Sequence, residues 1–201
     1  MDQVITALFD DYSDAHNAVQ ELEATGIRHA DISSGANDVH GDHGRAVEAA
    51  SKAGEDAGKG AGIGAAVGGL GGLLAGLGLL AVPGLGPVVA AGWLASTVVG
   101  AAGGAAVGAA AGGLVGALTK AGVPEDDAHV YAEGVRRGGT LVTARVGDAL
   151  APTARRILDG ERAVDLVGRR AAYQSQGWAR FDESAPSFTA EEIQAERGRY
   201  L

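Results

Sequence analysis

The sequence predicts an α+β protein, a ferredoxin-like βαβ + βαβ sandwich with a long Gly/Ala-rich α-helical hairpin inserted between its halves. Three observations carry this prediction. A strand–helix–strand pattern occurs twice, at residues 4–32 and 141–166. Residues 60–119 contain no Asp, Glu, Lys or Arg, and glycines recur there at every fourth position. The pattern divides the chain into a first βαβ half (1–35), an acidic connector (36–59), a glycine-zipper helical hairpin (60–119), a helix plus the second βαβ half (120–170) and an aromatic-anchored tail (171–201).

The first βαβ half begins with a compact β-rich run at residues 4–9. Ser13 is placed to cap a helix, and Gly26 is placed to end it. Residues 27–33 then predict a second strand. The apolar positions between Ser13 and Gly26 recur at helical spacing and define the buried face: Ala15, Ala18, Val19 and Leu22.

The second half repeats this order after an extra helix. Pro124 opens that helix, three acids at 125–127 favour its positive end, and residues 140–146 predict a strand. Pro152 opens a second helix, and residues 163–167 predict the last strand. With its helices on one face, such a sheet needs a cover on the other, which the tail or a second subunit would supply. Three aromatic residues anchor the tail, and Thr189 and Glu192 have capping-box spacing: Trp178, Phe181 and Phe188.

Two glycine series organise the uncharged block. Residues four apart lie on one helix face, so each series predicts a bare surface on which two helix backbones approach closely. Interior glycine costs about 1 kcal/mol of helix propensity relative to alanine, so a membrane or close packing must offset it. The predicted helix-packing positions are Gly60, Gly64, Gly68, Gly72 and Gly76 in the first arm, and Gly100, Gly104, Gly108, Gly112 and Gly116 in the second.

The ends of the block suggest how it would meet a membrane. Prolines and glycines at 83–87 predict a turn between arms at 60–82 and 88–119. An arm of 23 residues spans roughly 35 Å as a helix, against a hydrocarbon core of about 30 Å. Lysine flanks would keep the α+β domain on the cytoplasmic side, and an aromatic residue near the turn would lie at the interface. The predicted membrane-flank residues are Lys52, Lys59, Lys120 and Trp93.

Insertion into the bilayer would be marginal, because glycine and alanine add little apolar area. A soluble homo-oligomer that buries its hairpins against one another, in the cytoplasm, is the alternative. The chain itself is therefore the expected partner, with membrane lipid as a second. The net charge is −9 and no basic patch interleaved with aromatics occurs, so nucleic-acid binding is not expected.

The polar clusters do not predict catalysis. The chain has no Cys, and no cofactor or metal site is expected. His40, Asp42 and His43 lie close in sequence, but an acidic surface loop is the better interpretation. Carboxylates at 10–11 and 125–127 are better explained by helix capping and the helix dipole than by acid–base or Mg²⁺ chemistry.

The acidic helix followed by residues 138–142, together with the tail, resembles bacterial general stress proteins of the heat-induced, YflT-like type. The resemblance implies a non-enzymatic, stress-associated protein and supplies no catalytic residues. We therefore expect a membrane-associated structural protein that self-associates through glycine faces, with its domain facing the cytoplasm; a small-ligand or metal sensor is a less favoured alternative. The resemblance covers residues 4–33, the hairpin, 124–146, and the tail motifs Gly177-Trp178, Phe181-Asp182, Pro186 and Thr189-Ala190-Glu191-Glu192-Ile193.

Overall fold

The computed structural model describes residues 2–37, 78–82, 85–91, 93, 113–160 and 162–200. These residues form five strands and six α-helices. The strands are β1 (Asp2–Phe9), β2 (Ile32–Asn37), β3 (Gly78–Val82), β4 (Gly86–Ala91) and β5 (Thr140–Gly147). The helices are α1 (Tyr12–Ala24), α2 (Gly113–Lys120), α3 (Glu125–Arg136), α4 (Ala151–Leu158), α5 (Leu166–Ser175) and α6 (Ala190–Arg197).

The strands form one antiparallel sheet in the order β1-β5-β2-β4-β3. One side of the sheet is the three-stranded unit β1-β5-β2, in which β5 pairs with β1 along their full length, from Asp2↔Gly147 to Phe9↔Thr140. Because β1 and β2 are both antiparallel to β5, they run parallel to each other. They are joined through α1, so β1-α1-β2 is a split βαβ unit with β5 between its strands.

Alternation along β1 and β5 divides the interior into two cores, since successive side chains of a strand point to opposite faces. Ile5, Ala7 and Phe9 face one side, where they pack with Val142, Ala144 and Val146 of β5. Helices α1 and α4 cover this core and contribute the following buried residues: Ala15, Ala18, Val19, Leu22, Ala151, Ala154 and Leu158.

The second core lies on the opposite face of the sheet. Leu8 and Leu141 face it from β1 and β5, and Phe181 joins it from the tail. Helices α2 and α3 cover it, with these buried residues: Leu114, Ala117, Leu118, Ala128, Tyr131, Ala132 and Val135. The described residues therefore form three layers, helices–sheet–helices.

This arrangement confirms a mixed helix–sheet protein but does not confirm the ferredoxin-like sandwich. Helices cover both faces of the sheet, so the predicted uncovered face is already occupied by α2 and α3. The second βαβ half lacks its last strand: the strand predicted at 163–167 is wrong, because α5 begins at Leu166 with Asp165 as its N-cap. The Asp165 carboxylate accepts hydrogen bonds from the backbone N–H groups of Val167 and Gly168, which favours a helix start there.

The all-helical hairpin is wrong next to its turn. Residues 78–82 and 86–91 are strands, and β4 pairs with β2 from Ser34↔Ala91 to Asn37↔Val88. A run rich in leucine and valine beside a Pro-Gly turn has strand as well as helix propensity, and β2 offers it a hydrogen-bonding edge. Of the predicted second arm, residues 113–119 are described as helix, within α2, and Trp93 also has helical backbone. The rest of both arms lies outside the described residues.

Most other predicted elements are present, with shifted ends. Asp11 rather than Ser13 caps α1, its carboxylate accepting a hydrogen bond from the Ser13 N–H at 2.7 Å. A single 3₁₀ turn at His29–Asp31 delays β2 to Ile32. The capping box of Thr189 and Glu192 is confirmed at the start of α6.

Candidate functional site

The glycine series is the predicted functional feature, and the structure describes one of its ten positions. Gly116 lies within α2, in the helical conformation that the spacing predicts. The other nine positions lie outside the described residues: Gly60, Gly64, Gly68, Gly72, Gly76, Gly100, Gly104, Gly108 and Gly112. The structure therefore describes only the last position of the predicted helix-packing series. That position lies in α2, a helix that contributes residues to the second core.

Two of the four predicted membrane-flank residues are described. Lys120 is exposed at the end of α2. Trp93 packs against the second core, and the guanidinium of Arg145 lies 4.2 Å from the centre of its ring. The structure thus gives Trp93 a cation–π contact with β5, which ties the glycine-rich block to the sheet. Lys52 and Lys59 lie outside the described residues.

The two edges of the sheet differ in the hydrogen bonds made by their outward-facing backbone groups. At β1, the Leu8 carbonyl accepts a hydrogen bond from the Val164 N–H, and the Thr6 carbonyl accepts one from the Tyr131 hydroxyl, both at 2.8 Å. At the opposite edge, no strand among the described residues pairs with the outer side of β3. The five residues of β3 carry no charge and no proline.

The carboxylate clusters are engaged in structural contacts. Asp10 forms a bidentate pair with Arg169, with distances of 2.8 and 2.6 Å. Hydrogen bonds from the Ser13 hydroxyl and then from its N–H hold the pKa of Asp11 below its ordinary value. Asp127 pairs with Arg170, and Glu125 lies 3.1 Å from Arg180. These contacts fit the structural interpretation of both clusters.

A polar cleft lies where the first turns of α3 meet α5 and the tail. Its volume is about 370 Å³, and an adjoining, more apolar cavity of about 450 Å³ shares three of its lining residues: Glu125, His129 and Arg180. The Arg180 guanidinium lies within hydrogen-bond distance of His129, with 2.6 Å between Arg180 Nη2 and His129 Nε2. The contact fastens the tail to α3.

Metal ligation finds no support in the part of the chain that the structure describes, where no group of three His, Asp or Glu side chains could hold an ion. His16 stacks on Tyr12 with ring centres 6.3 Å apart. The residues His40, Asp42 and His43 lie outside the described residues.

A buried charge network between α3 and the tail is the main feature that the sequence did not predict. Arg137 donates to Glu133 at 2.6 Å, to Glu196 at 2.7 Å and to Gln176 at 2.6 Å. Glu133 is fully buried and Glu196 is 4% exposed. Burial by itself would lower the pKa of Arg137, but the hydrogen bonds to the two carboxylates outweigh it and raise that pKa.

Aromatic rings enclose this network. The Arg137 guanidinium lies 4.2 Å from the centre of the Tyr173 ring, and Arg136 lies 5.2 Å from that of Phe188. Burial raises the pKa of Tyr173 to about 12, against the opposing effect of Arg169. Glu133 and Arg137 have the i,i+4 spacing of a helical ion pair, which is a weak signal. Glu196, 59 residues further along, offers no local signal of its role.

Fold and site together define a small three-layer helix–sheet–helix domain with an ion-paired tail and a glycine-rich block between its second and fifth strands. No family model, curated protein or solved structure matches the chain. Among the described residues, no helix is long and apolar enough to cross a membrane.

Proposed function

We propose that the protein is a non-enzymatic structural protein that self-associates through the glycine faces of its uncharged block. The observation that carries the proposal is the pair of four-residue glycine series, Gly60 to Gly76 and Gly100 to Gly116. The helical state of Gly116 supports the predicted spacing at its one described position. The ion pairs of the carboxylate clusters also favour a structural role over acid–base catalysis.

The sheet limits how this block could meet a membrane. Because β4 pairs with β2 and β3 pairs with β4, the strands on either side of residues 83–85 belong to the sheet, which does not fit the far tip of a membrane-crossing hairpin. From β4 to α2 the chain has 21 residues, 92–112, and the uncharged run before β3 has 18, 60–77. One passage through a bilayer takes about 20 residues, so a passage and a return would need about 40.

We therefore propose that lipid, where it is a partner, is met at the membrane surface, with the domain in the cytoplasm. Assembly in water, without lipid, is the alternative. The same glycine faces would form the contact between copies in either case. The association with stress rests on the resemblance of the tail and the acidic helix alone. Similarly, the ferredoxin-like relationship is proposed only for the β1-α1-β2 unit, which has the split βαβ order of that fold.

Substitution of the glycines tests the proposal. Gly68→Leu and Gly108→Leu place a bulky side chain on each predicted face, which forces the backbones apart and should convert oligomer to smaller species. Gly147→Leu is the matched control, since Gly147 lies outside the block and a Cβ added there would meet nothing within 4 Å. The measurement is sedimentation in plain buffer and in nonionic detergent, together with flotation on anionic lipid vesicles.

Three results distinguish the possibilities. Oligomeric wild type that is disrupted by both block variants but not by Gly147→Leu supports self-association through these faces. Flotation of the wild type adds the membrane surface as a partner. A wild type that is monomeric with and without detergent would remove the proposal.

A further inference from the structure

We propose that the outer edge of β3 pairs antiparallel with β3 of a second copy, joining two five-stranded sheets into one. The inference rests on the proposed self-association and names a specific surface for it. It depends on three features of the described residues: the contrast between the two sheet edges, the register of the β3–β4 pair, and the absence of charge in β3.

The two edge strands of the sheet, β1 and β3, differ in the features that normally protect an edge from pairing with another strand. Exposed strand edges offer unpaired N–H and C=O groups, and proteins protect them with charges, prolines or covering segments. The edge at β1 is protected in this way, because Val164 and Tyr131 hydrogen-bond to its outward carbonyls and Asp2 begins the strand. At the other edge, β3 carries neither a charge nor a proline, and no strand among the described residues pairs with its outer side.

The register of β3 on β4 identifies the groups at this edge. Ala81 is opposite Pro87, and proline has no N–H to donate, so this pair is a non-hydrogen-bonded one. Pairs alternate along an antiparallel ladder, so Leu80↔Val88 is hydrogen-bonded and Leu79↔Val89 is not. Consequently the N–H and C=O groups of Leu79 and Ala81 point outward, and those of Leu80 point to β4.

These outward groups match a second copy of the same strand. With a two-fold axis at Leu80, Leu79 of one copy lies opposite Ala81 of the other, and the two such pairs form four hydrogen bonds. The chain carries a net charge of −9, but β3 lies within the uncharged block, so the contact brings no like charges together. Four hydrogen bonds do not offset the cost of association by themselves, so the glycine faces must supply the packing while the strands set the register.

A proline at an outward position tests the pairing. Leu79→Pro removes an N–H that points away from β4. It should therefore leave the β3–β4 pair intact and weaken association of the two copies by about tenfold or more. Leu79→Ala is the matched control, since it shortens the same side chain but keeps the N–H, and its association should remain within about threefold of wild type. Sedimentation equilibrium measures each dissociation constant, and thermal melting of the variants verifies that they fold.

Amide hydrogen exchange gives a second readout that does not need a substitution. In the assembled protein the Leu79, Leu80 and Ala81 amides should all be protected. On dilution to the monomer, the Leu79 and Ala81 amides should lose protection while Leu80 keeps it, because Leu80 donates within the hairpin.

The outcomes separate this inference from the proposal on which it rests. If Leu79→Pro and Leu79→Ala both assemble like wild type while Gly68→Leu and Gly108→Leu dissociate, the edge pairing is wrong and the glycine faces stand. A monomeric wild type overturns both. Selective weakening by Leu79→Pro, with concentration-dependent protection at Leu79 and Ala81, supports the pairing.

Discussion

Glycine 134 sets how closely α3 approaches the sheet. A Cβ built at this position would lie 2.3 Å from Cδ2 of Leu8 and 3.1 Å from its Cδ1. Leu8 is 1% exposed and packed in the second core, so its side chain has little room to move away. The absence of a side chain at Gly134 therefore allows the helix–sheet contact.

Gly134→Ala should lower the free energy of unfolding by about 1–3 kcal/mol, because overpacking outweighs the gain in helix propensity. Urea unfolding measures it. Gly147→Ala is the control, with nothing within 4 Å of its Cβ and an expected change within about 0.5 kcal/mol. If the steric explanation is right, adding Leu8→Ala to Gly134→Ala should cost less than the sum of the two changes; strict additivity would contradict it.

Gly138 allows the tail helix α6 to pack closely against the end of α3. Its φ of 96° lies in the left-handed region, and a Cβ there would meet Cγ2 of Ile193 at 2.3 Å. The Gly138 carbonyl also accepts a hydrogen bond from Arg197 at 2.9 Å. The glycine that follows α3 is therefore also in direct contact with α6.

At the scale of the element, α6 is held by charge as well as by packing. Its Glu196 reaches Arg137 at the end of α3, and Glu133 completes the buried group. Both carboxylates are buried, so their charges depend on arginines: they share Arg137, and Glu133 also pairs with Arg136 and Glu196 with Arg199.

Arg137→Met should lower the free energy of unfolding by about 2–4 kcal/mol, because it removes the counter-ion that the two buried carboxylates share and leaves Glu133 with Arg136 alone and Glu196 with Arg199. Arg162→Met is the matched control: Arg162 is 44% exposed, its partners are Asp14 and Glu21, and its loss should cost about 1 kcal/mol or less. Chemical denaturation of both variants makes the comparison. Equal effects would show that burial of the Arg137 group does not matter.

At the scale of the whole molecule, β5 is the centre of the structure. It is bordered by β1 and β2 and covered by helices on both faces, whereas α6 lies at the surface and depends on the Arg137 group. Regions with more buried contacts open only with global unfolding, and peripheral elements open locally.

Hydrogen exchange should therefore be slowest at β5 amides such as Val142 and Ala144, and faster at α6 amides such as Gln194. In native conditions, the local opening free energy of α6 should fall more in Arg137→Met than in Arg162→Met. The result against this view would be exchange of α6 and β5 at one common free energy, which would mean that the tail detaches only when the whole domain unfolds.

The elements whose signals are local could be predicted from the amino-acid sequence. Periodic apolar residues defined α1, Pro124 and Pro152 marked the starts of α3 and α4, β-propensity defined β1 and most of β5, and Thr189 with Glu192 marked the start of α6. The sequence also contains the glycine spacing and the charge-free block, on which the proposed function rests.

Features that depend on partners distant in the chain could not be predicted and are set by tertiary packing. Residues 78–82 and 86–91 fit helix or strand on their own, and the pairing of β4 with β2 decided for strand. The second helical layer, the sheet edge at β3 and the Arg137–Glu196 contact likewise join residues far apart in the chain. Local patterns report which face of an element is buried, but the partner that buries it is fixed by the free energy of the whole fold.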